Sequence, residues 1–415
     1  MVSGYLDRSR AQRLMAEQGL DALVLAQPES IKYATGAFPG VATYWRRAGA
    51  AFVVVPHDGP MTAIVGDLQA ETFKAQSGID DVRTHRIWVE TGRFDGQPDV
   101  ADALVSGDVA RGNAHRLPRP AQYDISAAVS LLRDSLVERG LLDARIGMEL
   151  GFIAVRDFSI FTELMPQAIW ADATNLVERL RAIKSPREIE ILRTAAELSS
   201  AGLRALLPDL ALGMDAARMT EIWRDAALTE ASRRGLPPPA STWAYIAVGG
   251  DGFAPGGPAQ KGDLIKMDVG CVIDGYSSDG GRTAVMGPAG RAERRVYDAL
   301  HKSFEAGFAA LQPGVSLRSV YRTVATTMWD AGFSTYNRGH FGHGVGASIW
   351  SEEWPFISAD ATPMAEPGMV LAFETPYYIK GLGGFIIEDQ ILITETGTEV
   401  MAPMARNLNE VSAFA

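Results

Sequence analysis

The apolar and polar positions of this chain fall into two regions with different rhythms. Up to about residue 172, short apolar runs alternate with helix-spaced stretches. Residues 5–18 set Leu6, Leu14 and Met15 among Arg, Gln and Glu, which predicts a helix ended by Gly19. LDALVLA (20–26), GAAFVVVP (49–56), PMTAIVG (60–66) and RIGMEL (145–150) read as strands. Residues 28–33 read as a helical turn, and 67–76 and 129–140 as helices. Strands alternating with helices predict an α/β domain over 1–172. Residues 92–122 are rich in Gly, Pro, Asp and Arg and are expected to form surface connections.

The second region, 173–415, opens with two helical segments broken at Ser185-Pro186. A Ser cap, Pro in the first turn and Glu188 close behind mark the start of a long helix through about Leu206. Another helix is expected over 215–234, then a Pro-rich connector at 237–239 and strands from about 242. Within those strands, Met267, Val269, Cys271 and Ile273 alternate with Asp268, Gly270, Val272 and Asp274. Asp274-Gly275 supplies a two-residue hairpin turn. Asp268 and Asp279 are therefore expected on the two arms of one hairpin, facing one another. Two carboxylates that close repel unless a cation lies between them. A divalent metal is one resolution; an exposed hairpin with two solvated acids is the other.

Composition narrows the classes. A chain of 415 residues calls for two cores rather than one. The formal net charge of −11 argues against nucleic-acid binding. One cysteine, Cys271, fits a reducing compartment and a place in a strand core. The first twenty residues lack an apolar signal core, and no apolar run reaches membrane-spanning length. A cytoplasmic protein without membrane partners is expected.

Three more residues of metal-ligand type lie downstream. His343 sits in GHFGHGVG (339–346), whose glycines predict an irregular loop that lets backbone approach a ligand. Glu374 ends the apolar run MVLAFE (369–374), and Glu388 lies in GGFIIED (383–389). The glycines between them predict a second hairpin with one acid on each arm. One imidazole and four carboxylates suit a pair of Mn²⁺, Fe²⁺, Co²⁺ or Zn²⁺ ions, Mn²⁺ first among them. His340 is expected to orient a ligand or touch substrate.

The order of these motifs resembles the creatinase / Xaa-Pro dipeptidase / aminopeptidase P superfamily, whose catalytic domain has the α+β pita-bread fold shared with methionine aminopeptidases. The matching stretches are KGDLIKMDVG through GYSSDGGRT (261–283), GHFGHGVG, PGMVLAFETPYY (367–378) and GLGGFIIEDQILIT (381–394). RAIKSPREIEILRTAA (181–196) resembles the helix that enters that fold, and LDALVLAQPESIKYATG (20–36) the creatinase-like N-terminal domain. The resemblance implies that Asp268, Asp279, His343, Glu374 and Glu388 ligate two divalent ions. It also implies that Glu374 handles the proton of the attacking water, with His343 beside it. It further implies a homodimer, and it places Arg46 and Arg47 where small domains of this kind send substrate contacts into the neighbouring site. A solvated basic pair is equally open for those two arginines.

Departures from the family pattern bear on substrate. A histidine upstream of the first Asp is replaced at Gly256, and another beyond the ligand histidine by Trp350. An Arg before the final Glu is Ile386, and a Thr after it is Gln390. Trp350, Trp243, Tyr245, Trp354 and Tyr377 are expected to line a more apolar or cation-accepting pocket. The expected function is a dinuclear-metal hydrolase cleaving a dipeptide or small amide. The alternatives are a creatinase-like C–N hydrolase or lyase on a non-peptide substrate, and a binding module without catalysis.

Overall fold

The computed structural model describes residues 4–90, 118–348 and 352–411. The chain separates into two compact units, Met1–Leu180 and Arg181–Ala415.

In the first unit a mixed sheet of six strands forms around the apolar runs. Ala22–Leu25 lies at its centre, antiparallel to Phe52–Pro56 and parallel to Arg145–Met148. Thr62–Gly66, Asp81–His85 and Ile169–Asp172 complete it. Helices Arg8–Gln18, Pro28–Thr35, Ala70–Ser77 and Ile125–Glu138 come close to the predicted spans. Asp7 caps the first and Gly19 ends it in a left-handed turn, as a Schellman-type stop requires. The core gathers Val24, Phe52, Val54, Leu132, Ile146 and Phe161. Most of the stretch read as surface connections, 92–122, lies outside the described residues.

The second unit is built on one long sheet. Its path runs from Tyr276–Ser277 through Leu264–Ile273, Gly280–Val285, Glu388–Ile393, Val370–Glu374 and His340–Gly344 to Glu353–Ser358. Helices cover it as two separate apolar clusters. Pro186–Asp209 and Ala216–Arg233 bury Leu198, Trp223 and Ala227 against Ile265, Met267, Val269 and Cys271. Arg291–Ala310 and Leu317–Asp330 bury Leu300, Phe304 and Val324 against Phe341, Phe373 and Ile391. Ser185 and Glu188 form the reciprocal capping box, with Pro186 in the first turn. Tyr276 Oη then donates to Glu188 at 2.9 Å, tying that helix start to the hairpin.

Cys271 is buried in the strand core, and burial pushes its thiol up to about 12. Arg282 is also buried. It donates to Asp389 at 2.6 Å and to four backbone carbonyls, while Arg406 meets the other oxygen of Asp389 at 2.6 Å. Removing one member of a buried ion network strands the rest. Arg282→Met is expected to destabilise the protein by about 3 kcal/mol, the lower end because Arg406 still answers Asp389. The urea midpoint checks this; an unchanged midpoint refutes it.

Candidate metal centre

The strand Leu264–Ile273 sorts its side chains by the two-residue period of a pleat. Ile265, Met267, Val269 and Cys271 enter the helix-covered core. Lys266 and Asp268 share the opposite face and line a cavity of about 220 Å³. The partner strand brings Gly281 opposite Asp268, so Asp279 lies one step along the diagonal rather than directly across. Asp279 sits in the two-residue break between Tyr276–Ser277 and Gly280–Val285, where its backbone N–H donates to Gln390 Oε1 at 3.2 Å. The other two acids meet as the second hairpin predicts. Val370–Glu374 and Glu388–Ile393 pair antiparallel with Glu374 opposite Glu388.

The GHFGHGVG stretch is not the irregular loop expected from its glycines. His340–Gly344 is an interior strand, with His343 opposite Ala372. The glycine serves the close packing instead: Gly342 has φ +143°, and a Cβ there would fall 2.3 Å from Ala372 O. His343 is buried, with Nδ1 3.0 Å from the carbonyl of Gly344. A carbonyl only accepts, so Nδ1 donates to it, and Nε2 is directed inward, 3.6 Å from Asp279 Oδ2.

All five sequence-predicted ligands, Asp268, Asp279, His343, Glu374 and Glu388, line this one cavity. One ligand atom each from Asp279, His343 and Glu388 lies within 4.8 Å of the others. Burial holds Glu388 well above the ordinary carboxylate range, with Asp279, Asp268 and Glu374 adding to the effect. Asp268 is raised chiefly by burial, against the pull of Lys266. Glu388 Oε2 is buried and has no hydrogen-bond partner among the described residues. Carboxylate oxygens packed this densely beside an imidazole nitrogen fit a hard or borderline divalent cation.

Two cations share the cavity and were not singled out from the sequence. Lys266 Nζ lies 3.1 Å from Asp268 Oδ2, and Arg338 Nη2 donates to Glu374 Oε1 at 2.6 Å. Arg338 is oriented by a second bond, Nε to His340 O at 2.8 Å. Lys266 had a visible signal, a charge two residues before Asp268 on an otherwise apolar strand. Arg338 had none, because it comes from an irregular stretch before the His340 strand.

The remaining expectations divide. His340 is next to the centre, Nδ1 3.5 Å from Glu374 Oε1, and burial pushes its imidazole below the usual range. Tyr377 is not brought to the cavity. It packs on Tyr336 at 4.9 Å and Phe333 at 6.2 Å, and its neighbour Tyr378 lines the cavity because successive strand residues face opposite ways. Trp243 and Tyr245 do line it, joined by Phe253 and Glu352. Trp354 instead packs against the core of the Arg291–Ala310 and Leu317–Asp330 helices. Trp350 lies outside the described residues. Gly256 has φ +73°, and a Cβ would fall 2.1 Å from Val248 O, so this backbone admits no side chain without shifting. Ile386 is buried against Gly281. Arg46 and Arg47 belong to the first unit, where they pair with Glu29 and Asp157 respectively.

Comparison with known proteins fits this geometry. The sequence profile of metallopeptidase family M24 matches residues 190–395, and that of the creatinase/prolidase N-terminal domain matches 8–183. The Xaa-Pro dipeptidase of Pyrococcus furiosus is 31% identical over 241 residues, 56% of this chain and 67% of that protein. The chain belongs to metallopeptidase family M24.

The Xaa-Pro dipeptidase of Pyrococcus horikoshii is 28% identical over 243 residues, covering 56% of this chain and 66% of that protein. Among solved structures, an Xaa-Pro dipeptidase from Bacillus anthracis superposes with a TM-score of 0.75 at 21% identity, covering 97% of this chain and 98% of its own. The second unit therefore has the pita-bread fold of this M24 family, and the first the creatinase-type N-terminal fold. Membership makes the chain a metal-dependent hydrolase. Among the described residues, no helix is long and apolar enough to cross a membrane.

Proposed function

We propose that this M24 hydrolase is a dipeptidase of the Xaa-Pro type. Its centre would be formed by Asp268, Asp279, His343, Glu374 and Glu388, with room for two divalent ions. The observation that carries this reading is the single cavity lined by four carboxylates and His343, together with the relatives named for that activity. Manganese heads the candidate metals because oxygen donors outnumber the one nitrogen. A divalent ion bound there supplies Lewis acidity and lowers the pKa of water. The side chains do the rest. Asp279, His343 and Glu388 would hold the ion. Arg338 fixes Glu374 through Oε1, which leaves Oε2 to take a proton from the attacking water. Water oxygen bonds to the scissile carbonyl carbon, the C–N bond breaks, and Glu374 returns the proton to the departing nitrogen. Tyr378, Phe253 and Tyr245 form an aromatic side of the cavity, Phe253 and Tyr378 lying 5.8 Å apart.

A second reading, a creatinase-like hydrolase of a non-peptide C–N bond, is favoured by one observation. The turn at Gly256 has no space for the histidine that family peptidases carry there. One assay separates the two. Metal-loaded protein is expected to hydrolyse Xaa-Pro dipeptides and to lose that activity on chelation. Bound metal with no turnover across an Xaa-Pro dipeptide series refutes the dipeptidase reading and leaves the second. A homodimer in a reducing, cytoplasmic setting completes the proposal. The family resemblance supports the dimer, and the lone buried thiol fits the compartment.

A further inference from the structure

The two cations of the cavity are bound in different ways. Arg338 is braced from two sides, by Nη2 on Glu374 Oε1 at 2.6 Å and by Nε on the His340 carbonyl at 2.8 Å. Lys266 is 2% exposed and lines the cavity. An ammonium offers three N–H donors. Among the described residues Lys266 has one hydrogen-bond acceptor for them, Asp268 Oδ2 at 3.1 Å. Ala247 and Thr283 lie opposite it on the two flanking strands. Alanine has no side-chain acceptor, and Thr283 Oγ1 is engaged with the backbone of Ile386, donating to O at 3.0 Å and accepting from N at 2.8 Å. The ring of Tyr378 covers another side, its centre 5.5 Å from the ammonium. A buried charged donor short of acceptors is costly. The cavity is the space from which a further acceptor can come.

Position decides which acceptor. Lys266 and Asp268 share one face of their strand, so the ammonium lies beside the proposed ligands, at the buried end of the cavity. Tyr245 and Phe253, 61% and 76% exposed, mark the end open to solvent. The bond to be cut belongs at the ligand end, and the rest of the substrate extends toward the aromatic end. We infer that Lys266 is a catalytic residue, donating to the scissile carbonyl oxygen as that oxygen becomes an oxyanion. The inference rests on the dipeptidase reading of the site. No proton leaves Lys266. As the water oxygen bonds to the carbonyl carbon, the π pair of the C=O bond moves onto oxygen, which accepts the remaining N–H groups of Lys266. When the C–N bond breaks, that pair re-forms C=O. An ammonium attracts the charged oxygen more than the neutral one, so the contact favours the transition state over bound substrate. Burial strengthens such a charge-assisted bond. Lys266 thereby stands in for two donors of the family pattern that this chain has given up, the histidine for which the Gly256 turn has no space and the arginine replaced by Ile386.

The test compares wild type with Lys266→Met at saturating Mn²⁺ on an Xaa-Pro dipeptide. Beside the kinetics, calorimetry measures binding of a phosphinate isostere of that dipeptide, whose tetrahedral centre carries the charged oxygen. Lys266→Met is expected to lower kcat by about 10²-fold with KM little changed, and to weaken phosphinate binding by a similar factor. Its metal content should match wild type. Lys266→Gln keeps an N–H donor without the charge and should fall between the two on both scales; it carries the comparison if the methionine variant does not fold. A folded variant with unchanged kcat and unchanged phosphinate affinity overturns the inference. So does a rise in KM with kcat kept and with discrimination between Xaa-Pro and Xaa-Pro-amide lost, which would make Lys266 the seat of the terminal carboxylate. Wild type that binds Mn²⁺ but neither cleaves Xaa-Pro dipeptides nor binds the phosphinate overturns the dipeptidase reading, and the inference with it.

Discussion

Asp279→Ala is expected to lose bound metal and nearly all turnover together. Asp279 lies at the junction of the site. Its carboxylate approaches His343 Nε2 to 3.6 Å, it belongs to the three-donor group with Glu388, and its backbone is held by Gln390. No neighbouring side chain can replace it, because Asp268 and Glu374 are drawn to Lys266 and Arg338. Loss of this ligand should cut turnover by about 10³ or more, since both the Lewis acid and the positioned water go with it. The matching measurement is metal content after gel filtration in buffer with trace Mn²⁺. The variant should retain well under half of the wild-type metal. The fold should survive, because Asp279 sits in a break between strands and carries none of the sheet ladder. Full metal content with full activity in this variant would remove the basis of the proposed site.

Glu374→Gln should separate chemistry from metal binding. The substitution keeps shape and one oxygen donor but cannot carry a proton. General acid–base groups contribute about 10²–10⁴ in rate, so kcat is expected to fall by about 10³ with KM changed little. Metal should stay, because the converging group of Asp279, His343 and Glu388 does not include Glu374. Steady-state kinetics beside metal analysis decides the point. A large rise in KM with kcat preserved would assign Glu374 to substrate binding rather than to proton transfer. The contrast with Asp279→Ala matters: one variant should be empty and inactive, the other loaded and inactive.

Much of this centre could be read along the chain because it is made from strands. A period of two and a short turn are local properties, so the Asp274-Gly275 turn announced one hairpin. The apolar run before Glu374, with glycines after it, announced the other. Both appear, with Glu374 opposite Glu388. The capping box at Ser185 was equally visible, since caps are set by neighbours three residues away. What failed was non-local. The glycines around His343 suggested a loop. In the sheet they admit the close approach of the next strand, which fixes His343 in a rigid interior position. Tyr377 and Tyr378 were indistinguishable until the pleat assigned one to the core and the other to the cavity.

The chain by itself determined the strands and turns of the hairpins that carry the acids proposed as ligands. These follow from periodicity and turn chemistry, which act over a few residues. Only the tertiary structure decided how the proposed ligands are grouped. Register set Asp279 on the diagonal from Asp268, and strand order brought His343 beside both hairpins. Packing buried Lys266 and Arg338 against two of the acids. Those relations depend on side chains far apart in sequence meeting in a low-dielectric space, where the position of a charge, and not its presence, sets its effect.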